Sequence, residues 1–374
     1  MKPAVSVGLT VRPVLPVIKL KRGIKMKNLT SRINHSVKNL LLLAAWTLSA
    51  SSCYTIWDND DCGTVYQVHF KYDYNMAFAD AFASQVHSVT LYAFDEEGKL
   101  VSQQQEQGEI LSNGDFSMSL NVAPGNYQLV AWAGMAENDK VTLTEGVSSI
   151  DELKCRINRT GHTLLGEQVD SVGLLNPFWH GTVKMGLGTG PASRNSWNYE
   201  DVTVPLVKNS NTLRIILQQM SGEGLDKDDF VFSVTDNNGL MHHDNSLNAE
   251  DGDLTYLPYY KASGSTDIND GNEAGTKLNM VIAEMSMGRL MADHHPVLTV
   301  RRADTGKVVF SIPLIDYMDM CRTVAQYDMP LQEYLDREDT YVMTFFLDAN
   351  QSWINTQIII NDWIVRYNDI TPEF

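Results

Sequence analysis

The sequence predicts a mainly β chain built as two tandem β-sandwich domains with a short helical insertion. Three observations carry this. Short runs alternate apolar and polar side chains, the period of a strand with one buried face. Turn signals rich in Gly, Asp and Asn separate those runs at the close spacing of sandwich folds. The 374 residues also leave, behind an amino-terminal export signal, a length suited to two domains.

The chain opens with residues 1–25, which carry prolines and no coherent apolar face and precede a second methionine, Met26. They are expected to be an upstream extension of the true start and are set aside. Residues 26–52 have the three-part logic of a secretory signal. A basic head (Lys27, Arg32, Lys38) precedes an apolar run, Leu40 to Ala50, and then the small residues Ser51 and Ser52. The run is shorter than the roughly 20 residues that span a bilayer. Cys53 follows directly, which is the order of a bacterial lipoprotein signal. On that reading the chain is cut before Cys53, its thiol receives a diacylglycerol and its new amine a third acyl chain. Several chains anchor a protein stably where one holds it marginally. Ala50 stands where Leu is commonest in such signals. The alternative is an ordinary secreted protein whose Cys53 is removed or forms a disulfide. Residues 53–63, with Asp58, Asp60 and Asp61, read as an acidic tether.

Net charge is −17, and the first 38 residues hold nine Lys or Arg and no acid. From Cys53 onward 46 acids therefore face 20 bases, a balance of −26. Such a surface repels phosphate backbones, which argues against nucleic acid as a partner. Four cysteines are present, Cys53, Cys62, Cys155 and Cys321. With Cys53 lipidated, an odd number remains. An exported location permits a disulfide. Cys62 with Cys155 is one pairing, leaving Cys321 a buried free thiol, but spacing alone does not choose it. No CxxC pair suggests zinc.

In chain order, Thr64 to Tyr72 alternates Val65, Gln67 and His69 against Tyr66, Val68 and Phe70, with His69 on the polar face. Met76 to Gln85 is a helical turn or a loop lid. Val86 to Phe94 and Lys99 to Gln104 form a hairpin about the charged turn Asp95–Gly98. Asp115 to Val122 and Tyr127 to Ala133 are strands joined at Pro124-Gly125. Ser149 to Glu152 fits a helix-capping box. Pro177 to Met185 is a strand, and GLGTGP from Gly186 reads as a linker between an N-terminal sandwich (64–190) and a C-terminal one (195–374). It resembles a nucleotide loop only superficially, because no amphipathic helix follows. Val202 to Leu206, Thr212 to Gln218 and Phe230 to Thr235 are strands. Residues 242–253 and 263–276, rich in Asp, Asn, Gly and Ser, are expected to be long surface loops. Leu278 to Met285, Val297 to Arg302 and Val308 to Ile312 are strands, and Leu314 to Arg337 is a helix interrupted at Pro330. Tyr341 to Leu347, Thr356 to Ile360 and Trp363 to Tyr367 close the chain, with Ile358, Ile360 and Trp363 expected in the second core.

Chemistry-bearing motifs are sparse. No GxSxG, HExxH, Walker or kinase signature is present. His242-His243-Asp244 and Asp293-His294-His295 are the ligand-like clusters, but adjacent side chains on a strand point to opposite faces, so these read as solvated loop histidines. Asp267, Asn269, Asp270 and Glu273 could contact calcium, although Gly271 does not stand at the sixth position of an EF-hand loop. Carboxylates are too abundant to single out an acid/base pair. The residues thus imply no catalytic group, metal or cofactor, and a non-enzyme.

One resemblance covers most of Cys53 to Phe374. The order is the lipoprotein Cys53, an acidic tether, Cys62, a first strand, SVTLYAFDEEGKLV at 88–101, VAPGNYQLVAWAG at 122–134, and a closing IIINDWIVRYND at 358–369. This resembles the FimB-type fimbrial anchor family of Bacteroidetes-like bacteria. The resemblance implies two transthyretin-like, Greek-key β-sandwiches. It also implies a lipid-anchored outer-membrane subunit at the base of a surface fimbria, with stalk subunits as partners and no cofactor. Related polymerising pilins are opened by an arginine-specific protease that removes their first strand, and a strand of another subunit fills the groove. Here no Arg lies between Cys53 and Cys155; the first is Arg156. The first strand is therefore expected to stay, and the subunit to terminate a fibre rather than extend it. Trp363 to Phe374 is either an ordinary last strand or a donor to a neighbour. The competing function is a surface lipoprotein that binds glycans or host proteins on aromatic platforms such as Trp179, Trp197 or Trp353. A third, a lipoprotein hydrolase, would need a nucleophile or carboxylate pair in a cleft.

Overall fold

The computed structural model describes residues 65–123, 125–186, 199–219, 224–268 and 276–365. Twenty-two strands among these residues form four sheets. The first sheet has the order β3 (Leu100–Gln107), β2 (Ser88–Phe94), β5 (Asn126–Ala133), β10 (Trp179–Gly186), β11 (Tyr199–Lys208), β1 (Val65–Lys71) and β4 (Ser117–Asn121). The alternation read in β1 holds: Tyr66, Val68 and Phe70 are buried, while Gln67 and His69 are half-exposed.

This sheet turns a corner within one strand. Up to Pro205, β11 runs parallel to β1; from Leu206 it pairs antiparallel with β10. Pro205 has no N–H to offer a ladder, so pairing changes partner there. Opposite it, Gly181 leaves room: a Cβ at that position would lie 2.5 Å from the Pro205 carbonyl oxygen. The fold-over brings β1 and β4 across from β2 and β5, and Val68, Leu91 and Leu129 share one core. Phe70, Phe82 and Phe116 stack inside it at 5.6–6.0 Å. The two edges nearly meet, since Gln104 on β3 donates to the Ser119 carbonyl on β4 at 3.1 Å. Phe82 belongs to the short helix α1 (Phe82–Gln85), so the Met76–Gln85 segment does contain a helical turn.

The second half packs two six-stranded sheets. One has the order β16 (Tyr260–Ile268), β17 (Thr276–Gly288), β12 (Ser210–Gln219), β20 (Thr340–Leu347), β21 (Trp353–Ile360) and β22 (Trp363–Val365). The other is β19 (Val308–Pro313), β18 (Val297–Arg302), β13 (Phe230–Asp236), β15 (Leu254–Tyr256), β9 (Glu167–Val172) and β8 (Thr160–Leu164). Phe310 on β19 stacks on Phe345 of β20 at 4.2 Å and joins the two. Pro330, at the amino-terminal cap of the second helix, breaks the helical stretch into α2 (Leu314–Val324) and α3 (Leu331–Arg337). Helix α2 turns Leu314, Met318 and Cys321 into the core.

A small sheet, β14 (Leu240–His242), β7 (Lys154–Ile157) and β6 (Val141–Leu143), completes the fold. It belongs to the same apolar core as Tyr92, Phe94, Val130 and Trp132, the outward side chains of β2 and β5. That core runs on into the second sandwich. Sheet membership crosses the 190/195 division in both directions, because β8 and β9 pair into the second half and β11 into the first.

Three expectations are corrected. Ser263–Ile268 is not loop but part of β16, nine residues paired along β17. Its polar composition suits an edge strand with open flanks. Residues 242–253 include the end of β14 and a 3-10 turn, Ala249–Asp251. Trp363 does not fill the second core. It is 41% exposed while Ile358, Ile360 and Val365 are buried, because it opens the edge strand at the margin of the core. Ser149–Glu152 does carry the capping pair: Glu152 accepts from the backbone of Ser148 and Ser149 at 2.8 and 3.3 Å, over a single 3-10 turn, Ile150–Glu152.

Candidate functional site

The polar seam between the two halves is the most elaborate arrangement of functional groups. From the first sandwich come Trp132 on β5, His180 on β10, Lys208 at the end of β11, and Asn209. From the second come the loop after β14, Arg289 after β17, and α3. His180 Nε2 lies 2.8 Å from the His243 carbonyl oxygen. A carbonyl only accepts, so Nε2 carries the proton. Its ring meets Trp132 edge-on at 4.6 Å. Burial, with a smaller push from Arg289, depresses the His180 pKa to about 4 against the opposing pull of the His243 carbonyl. The imidazole is thus a neutral donor at physiological pH.

Beside it, Asn209 and Asn245 exchange amide hydrogen bonds at 2.6 and 3.0 Å. Arg289 grips both carboxylate oxygens of Asp336 at 2.7 Å. Lys208 reaches Asp339 at 2.6 Å. Arg337 lies over the rings of Tyr74 and Phe78, at 4.1 and 4.5 Å, and donates to the Asp73 carbonyl at 3.3 Å, tying the loop after β1 to α3. Forked guanidinium pairs and reciprocal amides fix orientation as well as distance. With the apolar core continuous beneath, the seam makes the two sandwiches one body.

The ligand-like clusters separate on this framework. His243 contributes only its carbonyl, and His294 Nδ1 lies 3.3 Å from Asp236, whose carboxyl is pushed up chiefly by burial. Among the described residues no three His, Cys, Asp or Glu side chains gather as a metal site. Cys155 on β7 and Cys321 on α2 are buried free thiols, and burial raises both. Cys53 and Cys62 lie outside the described residues, as do Trp197, most of the Gly186–Pro191 linker, and Asn269, Asp270 and Glu273. Trp179 is buried against Tyr72, edge-on at 5.8 Å, and Trp353 packs on Phe310 and Phe345 at 5.3 and 5.9 Å; neither is an open platform. His180 escaped the sequence reading, which singled out the wrong histidines. The signal was its place one residue after Trp179, inside a strand. Among the described residues no helix is long and apolar enough to cross a membrane.

Two β-sandwiches joined through a shared apolar core and a polar seam give the chain an adhesin-like architecture. A family model described as fimbrillin-A associated anchor proteins Mfa1 and Mfa2 matches residues 59–369, and the chain belongs to this family. It is a family of structural anchor proteins rather than enzymes, and membership implies a place in surface fimbriae and association with fimbrial subunits. A candidate adhesin of Bacteroides thetaiotaomicron is 34% identical, with TM-score 0.69, over 81% of this chain and 97% of that one. A candidate polysaccharide-binding protein of the same organism is 32% identical, with TM-score 0.67, over 83% and 99%. The fimbrial anchor protein Mfa2 of Porphyromonas gingivalis shares the fold, at 15% identity and TM-score 0.58, over 82% and 99%. No curated protein sequence matches.

Proposed function

We propose that this chain is the lipid-anchored, non-polymerising subunit that holds the base of a fimbria in the outer membrane and ends its assembly. The observation that carries the terminating role is the place of β1. It is hydrogen-bonded on both sides, to β11 in parallel and to β4 antiparallel, with Tyr66, Val68, Phe70 and Tyr72 buried. A strand held this way leaves no groove for a donor, and the stretch from Cys53 to Cys155 offers an arginine-specific protease no site. Val365 of β22 is buried and paired to Ile358, which supports an ordinary last strand over a free donor. The membrane attachment rests on Cys53 and the signal before it.

The test is the location of fimbriae in a strain carrying Cys53→Ala, with the variant protein itself confirmed as present. Release of fimbriae into the medium is expected; fimbriae that stay on the cells refute the anchor role. Amino-terminal sequencing of the mature protein is expected to be blocked by the acylated amine of Cys53, and mass spectrometry to find a lipid-modified peptide that begins at Cys53. A new terminus beyond Tyr72 would sink the terminating role.

A second reading, a surface lipoprotein that binds glycans or host proteins, draws on one feature. A groove of about 550 Å³ is lined by Tyr259, Tyr260, Arg214, Ile282 and Glu284, an aromatic and polar mix that suits a sugar ring. Calorimetry with surface polysaccharides checks it.

A further inference from the structure

The sheet β16-β17-β12-β20-β21-β22 packs one face into the core and carries an apolar row across the middle of the other, bordered by Arg214, Glu284 and Gln218. Its inner face, with Leu213, Ile215, Val281, Met343 and Ile360, belongs to the core. A sheet with one packed face ordinarily turns polar side chains to water on the other. Here the cross-strand register places Ala262, Ile282, Ile216, Thr344, Ile359 and Ile364 in one row across all six strands. In the next row on one side Met280 and Phe346 flank Gln218, and on the other Tyr260 and Val342 flank Glu284 and Arg214. Ile364 and Tyr260 are 48% and 51% exposed, and the rest of the row is partly exposed. Helices α2 and α3 turn their buried residues to the other side, into the core. A contiguous apolar face on a soluble domain marks an interaction surface.

Charge narrows the occupant. In the row beside it, Arg214 Nε donates to Glu284 at 2.7 Å, so the pair cancels and attracts no ionic ligand. A second copy would bring another chain whose balance from Cys53 onward is −26 against the first. A sugar ring has a use for the tyrosine groove at one end, but none for an apolar row six strands wide. An apolar surface on a different protein would cover the row without that repulsion between copies. Membership of the anchor family supplies such a neighbour.

We propose that this outer face is the docking surface for the adjacent fimbrial subunit, which covers the row centred on Ile282, Ile216 and Ile359. The proposal rests on the fimbrial reading given above. It is tested with the full chain and fimbriae purified from the same bacterium, comparing wild type, the double variant Ile216→Glu/Ile282→Glu, and Val101→Glu on β3 as an exposed apolar control.

Binding is expected to weaken about tenfold or more in the double variant and to stay unchanged in the control, with both unfolding transitions preserved. Equal binding by wild type and double variant overturns the docking face and leaves the fimbrial reading standing. No binding by the wild type removes the fimbrial reading, and the docking face with it. A wild type that dimerises through this face, or takes up a glycan there and not fimbriae, also overturns it. If the glutamates unfold the sheet, Ile216→Thr/Ile282→Thr keeps the β-branched shape; weakening of about threefold or more is then expected, and unchanged binding overturns the proposal.

Discussion

Arg289 and Asp336 form a forked ion pair at the domain seam, both bonds 2.7 Å long, with side chains 13% and 6% exposed. Arg289 also donates through Nη1 to the Asn245 carbonyl at 3.0 Å, so one guanidinium joins α3 to the loop that carries the Asn209–Asn245 pair. Removing one partner strands a buried charge. Asp336→Ala is expected to cost about 3–5 kcal/mol in denaturant unfolding, whereas Arg289→Met/Asp336→Leu is expected to recover most of that. A double variant no better than the single would show that the pair attracts more than its desolvation costs.

One buried group, His180, and one half-buried group, Glu338, give the stability opposite pH slopes. Burial raises the Glu338 pKa from 4.5 to about 7, so the folded chain holds a proton that the unfolded chain has lost. Its contribution falls as pH rises from about 4.5 to 7. His180 goes the other way: depressed from 6.5 to about 4, it favours folding above pH 6.5, and that contribution is lost as pH falls toward 4. Each is worth at most about 3 kcal/mol. Between pH 4.5 and 6.5 the wild type is therefore expected to be nearly flat. Glu338→Gln should make stability climb with pH across that window, and His180→Gln should make it fall. Chemical denaturation in half-unit pH steps checks both slopes.

Gly181 sits where β11 changes partner. An added Cβ would meet the Pro205 carbonyl at 2.5 Å and Val204 and Leu206 at 2.7 Å. Gly181→Ala is expected to destabilise by about 3 kcal/mol through backbone displacement. Hydrogen exchange should quicken at the β1–β11 and β10–β11 ladders first; uniform loss across both halves would argue against a corner held at this residue.

Truncation after Ile360 removes β22, uncovers Ile358 and Ile360, and deletes the buried Val365. The expected outcome is a protein destabilised by about 2–4 kcal/mol, in the range for losing a large buried side chain. A truncate as stable as the full chain would restore the free-donor reading.

Local period carried much of the fold. Tyr66, Val68 and Phe70 alternate in a stretch whose spacing suffices to name a half-buried strand, and Pro330 divides a helix for reasons confined to one residue. The strand Ser263–Ile268 was illegible because its polar side chains look like loop. What makes it a strand is the ladder offered by β17. His180 was illegible as a seam residue because its partners, Trp132 and His243, lie 48 residues before it and 63 after it.

The sequence by itself determined the elements whose cause is local: alternating strands, the capping turn at Ser149, the Pro330 break, and the signal-like order that ends at Cys53. Its resemblance also pointed to the family that the comparisons show. Tertiary structure alone decided the rest. It set β11 into the first sheet and β8 and β9 into the second, buried Trp179 and Trp353 while exposing Trp363, and aligned Ile282, Ile216 and Ile359 in one outer row. The reason is physical. Alternation tells which side chains share a face of one strand, but register between distant strands decides which faces meet a core and which meet a partner.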